Sequence, residues 1–174
     1  MLTVPAMKVL GVDPGTLATG WCIVEALPGG ALRAHVHGVV RTRPADPLWD
    51  RLAEIHREIL KVALEHRPAA LALEQCFVSK NVQSALKLGH TRGVVMVAAK
   101  AAGAEVFEYA PSQVKSAVTG NGRAEKHQVA EMVRILLKLD KTAPADASDA
   151  MAAAICHING GANRILQMAV AGRR

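Results

Sequence analysis

Cysteine is scarce: Cys22, Cys76 and Cys156 are the only three in 174 residues, and they are scattered. No CxxC pair and no Cys/His ligand spacing occurs, which argues against a disulfide framework and against a structural zinc site. They read as reduced, mostly buried thiols of a cytosolic protein. A secretory signal is missing too. The start MLTVPAMKVLGVD has no basic stretch followed by a long apolar one. Apolar runs such as residues 94–99 are far too short to span a bilayer. There is no internal repeat and no low-complexity segment. Charged residues make up 21% of the chain and are too mixed with apolar ones for a disordered polymer.

What is present points to one packed domain. Hydrophobic residues make up 51% of the chain, enough for a single α/β core over residues 1–158. Residues 1–6 read as a short leader or a misplaced start, and residues 159–174 as a loosely held basic tail. Lysine and arginine number 21 against 15 aspartates and glutamates, a net charge of +6. That excess is compatible with a polyanionic partner without requiring one.

Apolar patterning predicts strands at 8–12, 20–26 and 31–40, joined by short turn-rich links that imply antiparallel pairing. An amphipathic helix over 47–66 leads to a strand at 69–73, which a crossover of that kind places parallel to its neighbour, the first strand. A long helix over 81–102, a strand over 105–109 and a short helix from Pro111 come next. A flexible loop at 119–122 precedes helices over 124–139 and from about Asp146 to His157. The order βββ-α-β-α-β-α-α-α fits a mixed five-stranded sheet with helices on both faces.

Four acids stand out in that frame. Asp13 and Glu74 mark the exits of the first and fourth strands, where parallel sheets place ligands. Asp146 and Asp149 are three apart at the start of the last helix and share one face of it. Gathered together, they would repel by about 4 kcal/mol per close pair at an effective dielectric of ~20. Divalent cations relieve that repulsion, and Mg²⁺ is the expected ion. Two such ions can activate a water and stabilise the leaving 3′-oxygen of a phosphodiester. Each acid also has an ordinary reading: Asp13 as a turn residue, Glu74 as a solvated strand end, Asp146 as an N-cap and Asp149 as an acidic first-turn residue. The functional reading rests on all four together.

The segments VLGVDPGTLATGW, ALEQCFVSKNVQSALKLGHTRGVV and PADASDAMAAAICH resemble the hallmark blocks of RuvC Holliday junction resolvases, in the family's order. FEYAPSQVKSAVTGNGRAEKHQV fits between the last two as the family's basic segment. The resemblance spans about residues 8–158 and implies a ribonuclease H-like fold. It also implies metal-dependent cleavage of four-way DNA junctions by a homodimer, one nick in each of two opposing strands, in recombination and repair. Two Mg²⁺ ions per site are implied, with Mn²⁺ as a substitute, and the branch-migration proteins RuvA and RuvB as partners. Asp13, Glu74, Asp146 and Asp149 match the family's catalytic acids, and Lys115 and Lys126 its basic residues near the scissile phosphate. Read without the family, those lysines are solvated helix charges. Phe77 matches an aromatic that contacts junction bases, and reads equally as a strand-end aromatic.

Lys80, Lys87, Arg92 and Arg123 are further candidates for holding DNA arms through phosphates. The helix over 81–102 carries Ala85, Leu86, Leu88, Gly89, Gly93, Val94, Met96 and Val97 on more than one face. That fits a helix that covers the sheet and also pairs with its own copy, or one that is simply buried. Three rival functions remain at this point. Residues 11–16 resemble the first phosphate loop of actin-like ATPases, but 174 residues cannot hold the second lobe such enzymes need. A catalytically silent junction-binding module and a related nuclease acting on RNA or flaps are the others.

Overall fold

The computed structural model describes residues 7–75 and 81–171, with side chains as far as residue 160. Its elements run β1 (Met7–Asp13), β2 (Ala18–Ala26), β3 (Leu32–Arg41), α1 (Leu48–His66), β4 (Ala70–Glu74), α2 (Val82–Ala101), β5 (Glu105–Tyr109), α3 (Pro111–Thr119), α4 (Lys126–Leu136) and α5 (Ala145–Ala171). The short links force β1, β2 and β3 into an antiparallel meander. Helical crossovers then return β4 parallel to β1 and β5 parallel to β4. The result is the expected mixed five-stranded sheet, and its order is β3-β2-β1-β4-β5.

Strand alternation sends successive residues to opposite faces, and each face has its own core. Leu10, Val12, Ile23, Leu71 and Leu73 pack under α1 and α2, against Ile55, Ile59 and Val95. Val9, Cys22, Val24 and Ala72 face the other way, toward Val114 of α3, Val129 and Val133 of α4, and Met151 and Ile155 of α5. Central strands buried on both faces explain why β1 and β4 are apolar almost throughout. Cys22 and Cys156 are free and buried, and burial pushes their thiols up to about 12 and about 11. Cys76 lies outside the described residues. Among the described residues, no helix is long and apolar enough to cross a membrane.

The seating of α5 is unusually close. A Cβ on Gly11 would sit 2.0 Å from the Ala150 carbonyl oxygen, and one on Gly20 would sit 2.1 Å from the Asp146 carbonyl oxygen. Glycines inside strands mark such approaches of backbone to backbone. The helix answers with small side chains, Ala147, Ala150, Ala153 and Ala154, all buried.

Several boundaries differ from the sequence expectation, most of all in the last two helices. α5 starts at Ala145, so Asp146 lies inside its first turn and is not its N-cap; the Ser148 N–H bonds the Pro144 carbonyl at 2.8 Å. Proline suits that position because it has no N–H to leave unpaired at a helix start. The same helix continues past His157 to Ala171, so much of the expected tail is helical. α4 is shorter than expected, ending at Leu136, and Lys138 just beyond it takes a positive φ of 53°.

The glycine contacts generate a stability prediction. Gly20→Ala drives a methyl group into a helix carbonyl that cannot rotate away, so it should destabilise the fold by about 1–3 kcal/mol. Urea denaturation measures this, and an unchanged midpoint would mean that α5 does not sit on β2 as described.

Candidate active site

Parallel pairing of β1 with β4 decides where the first two acids go. Val12 lies opposite Leu73 in the register, and both side chains enter the core under α1 and α2. The next residue on each strand, Asp13 and Glu74, therefore turns to the opposite face, where α5 lies. α5 brings Asp146 and Asp149 to the same edge on its first two turns, held there by the close approach at Gly20. The turn after Asp13 is pinned by threonines. Thr19 Oγ1 donates to the Gly15 carbonyl at 2.7 Å, and Thr42 Oγ1 donates to the Thr16 carbonyl at 2.6 Å.

Asp13, Glu74 and Asp149 face a cleft of about 300 Å³. Asp13, Glu74, Asp149, Lys115 and Lys126 form its polar lining, and Val114, Val129 and Ala152 are among its apolar wall. Asp146 does not line the cleft, yet it is near enough to act on Asp13. Burial pushes the Asp13 carboxyl up to about 6, and the charges of Asp149, Asp146 and Glu74 push the same way against Lys126. Glu74 is also raised, first by desolvation of its carboxyl and then by Asp149, with Lys126, Lys115 and Arg92 opposing. All four acids thus belong to one electrostatic cluster, although they come from three separate segments.

The two lysines sit at different distances from that cluster. Lys126, at the first position of α4, donates to Asp149 Oδ2 at 3.1 Å, and this bond raises its pKa. Its side chain is 86% exposed, so the pair adds little to stability. Lys115 on α3 is half-buried and reaches the cleft wall.

The other expected DNA contacts divide. Lys87 on α2 and Arg123 before α4 are exposed. Arg92 is not: its side chain is only 12% exposed, and it binds the Glu74 carbonyl and the Glu108 carboxylate. Those two contacts leave its guanidinium less open to a DNA phosphate than an exposed cation would be. Phe77 and Lys80 lie outside the described residues. The sequence reading missed Glu108 altogether, along with the cleft's apolar wall from α3 and α4.

The donors suit hard divalent cations. Clustered carboxylates whose charges repel one another gain relief from a cation and supply the oxygen ligands to bind it. Among the described residues, no three His, Cys, Asp or Glu side chains are already drawn into an ion-sized cage. The acids converge on an open cleft in which a lysine contacts one of them.

Known proteins match this chain over nearly its whole length. The family model described as "Crossover junction endodeoxyribonuclease RuvC" matches residues 9–157. A protein of that name from Myxococcus xanthus is 46% identical over 171 residues, covering 97% of this chain and 88% of its own length. One from Magnetococcus marinus is 44% identical over 159 residues, covering 91% of this chain and 88% of its own length. The solved structure "T. thermophilus RuvC in complex with Holliday junction substrate" superposes with a TM-score of 0.85 at 38% identity, covering 89% of this chain and 94% of that one. With the expected sheet, the acid-lined edge and this extent of likeness in agreement, the chain belongs to the RuvC family of crossover junction endodeoxyribonucleases.

Proposed function

We propose that this chain resolves four-way DNA junctions by hydrolysing one phosphodiester in each of two opposing strands, in recombination and DNA repair in the cytoplasm. The observation that carries this reading is the single electrostatic cluster made by Asp13, Glu74, Asp146 and Asp149 at the carboxyl edge of β1 and β4. Nucleases of this family are metal-dependent, and Mg²⁺ is the ion the oxygen donors suit, with Mn²⁺ as a substitute. When bound, such ions lower the pKa of water and stabilise the leaving oxygen.

The chain's own residues do the rest. Asp13, Glu74, Asp146 and Asp149 would hold the ions through their carboxylate oxygens. An incoming water oxygen bonds to phosphorus as the bond to the 3′-oxygen breaks, leaving a 5′-phosphate and a 3′-hydroxyl. Lys126 gives up its bond to Asp149 and, with Lys115, neutralises charge developing on the phosphoryl oxygens. Lys87, Arg123, Lys80 and Phe77 hold the junction arms, the cations through phosphates and Phe77 through bases.

Two symmetric cuts call for two sites, and α2 supplies a surface for pairing. Val82, Leu86 and Val97 are 67%, 59% and 61% exposed, and Gly89 and Gly93 face open space between them. Steps of three and four residues put all five on one stripe, so a homodimer about a two-fold axis along α2 is the expected assembly. RuvA and RuvB, the branch-migration proteins, are the expected partners on the junction.

Three outcomes test this reading. Asp13→Asn should abolish Mg²⁺-dependent nicking of a four-way junction while gel-shift binding persists; retained cleavage overturns the assignment. The same substitution has a stability signature without metal. The folded-state pKa of Asp13, about 6, lies above its ordinary 3.8. Between these values the folded protein holds the proton more tightly than the unfolded chain. The protonated group's stabilisation is therefore full below 3.8 and lost as pH passes about 6. Asp13→Asn should recover up to about 3 kcal/mol at pH 7 in chelator, and an identical unfolding midpoint there counts against the buried cluster. Finally, Leu86→Glu should convert a sedimenting dimer to monomer, and a wild-type protein that is monomeric at micromolar concentration removes α2 as an interface.

A further inference from the structure

Glu74 is the most exposed of the four acids, and it stands at the end of a five-residue strand. A strand end holds its side chain in place only if the backbone there is fixed. Two contacts fix it. The Gln75 N–H bonds the Tyr109 carbonyl at 2.8 Å, continuing the pairing with β5 for one step. Arg92, one helix away on α2, donates from Nη1 to the Glu74 carbonyl at 2.7 Å.

The second contact is built with care. The Arg92 side chain is 12% exposed, and its other terminal nitrogen, Nη2, binds Glu108 Oε1 on β5. Leu73 is paired with Glu108 and Glu74 with Tyr109, so one guanidinium clamps the ends of both parallel strands to the helix that covers them. A planar fork with two acceptors held at fixed spacing has one geometry, which lysine cannot reproduce. Glu74 itself lines the cleft, so the placement of this strand end sets where its carboxylate stands there.

We propose that Arg92 is a positioning residue for Glu74: together with Glu108, it locks the last turn of backbone at the end of β4 so that the Glu74 carboxylate meets the ions that Asp13 holds. This rests on the reading of Glu74 as a metal-binding acid. It stands in place of the expectation that Arg92 contacts DNA, since the side chain is largely buried and its charge already faces the Glu108 carboxylate.

The test uses the full-length protein with Arg92→Gln, Arg92→Lys and Glu108→Gln. The last two keep the fold should Arg92→Gln prove unstable. Thermal unfolding without DNA, titrated with Mg²⁺ alone, reads ion binding independently of cleavage. Residues that orient metal ligands typically change affinity by about 10- to 100-fold. The Mg²⁺ concentration for half-maximal stabilisation should therefore rise by roughly tenfold in Arg92→Lys and in Glu108→Gln, and the double variant should add little to either. Junction binding in chelator should keep the wild-type salt slope. An unchanged Mg²⁺ midpoint overturns the proposal, as does a slope lowered by about one, which would make Arg92 a phosphate contact. Glu74→Gln separates the two levels of the argument. If it binds Mg²⁺ and nicks like wild type, the reading of the acid cluster fails. If it loses both while the Arg92 and Glu108 variants match wild type, only the positioning role fails.

Discussion

The contact on which the rest of the molecule depends is backbone against backbone: the first turns of α5 against β1 and β2, at Gly11 and Gly20. Helices that pack on sheets through ordinary side chains stand about 10 Å away, too far for acids on their first turn to share a site with a strand end. Removing two β-carbons lets α5 drop into the gap, and its alanines keep it there. Asp146 and Asp149 then reach Asp13. The charge cluster is therefore a consequence of core packing, and any change that lifts α5 away from the sheet also takes the cluster apart.

That arrangement stores a cost. Lost solvent and, after it, like charges push the Asp13 carboxyl up to about 6, and Glu74 is raised as well. An apolar substitute at this edge would make a more stable fold, which is a usual mark of a site shaped for something other than stability. Part of the repulsion is offset by Lys126, but the ammonium is exposed and bonded to only one of the acids through the contact to Asp149. It can leave without disturbing the core, whereas Arg92, largely buried and forked between two acceptors, cannot. Two cations beside the same acids thus have different duties, and exposure tells them apart.

Much of this was legible in the sequence because it follows from period and punctuation. Alternating or continuous apolar strands, short links and the first helical crossover placed β1 between β2 and β4, and that pairing set Asp13 beside Glu74. The i, i+3 spacing placed Asp146 with Asp149. The seating of α5 had a signal too, since Gly11 and Gly20 interrupt strands otherwise rich in larger residues, yet a glycine alone does not say which backbone approaches it. The contacts of Arg92 were not legible because a basic residue on a helix looks the same whether it faces solvent or folds back on a carbonyl. Its partners are 16 and 18 residues away in the chain, and only the crossover brings them near. Helix ends were the least legible: α5 runs on through Asn159-Gly160-Gly161, which reads as a stop, and it starts at Ala145, two residues earlier than an Asp146 cap would allow.

The division of the sheet into two cores also bears on how the site and an assembly surface coexist. α5 and the acids occupy one face, while α1 and α2 occupy the other. Because α2 buries Thr91, Val95, Ala98 and Ala99 inward, its apolar stripe at Val82, Leu86 and Val97 is left outside. Pairing through that stripe leaves α5's face of the sheet untouched. The link between the two is Arg92, which lies on α2 and ends on Glu74. A helix that pairs on one side and grips a strand end on another couples the position of that acid to the placement of α2, so pairing that shifts α2 would shift Glu74 with it.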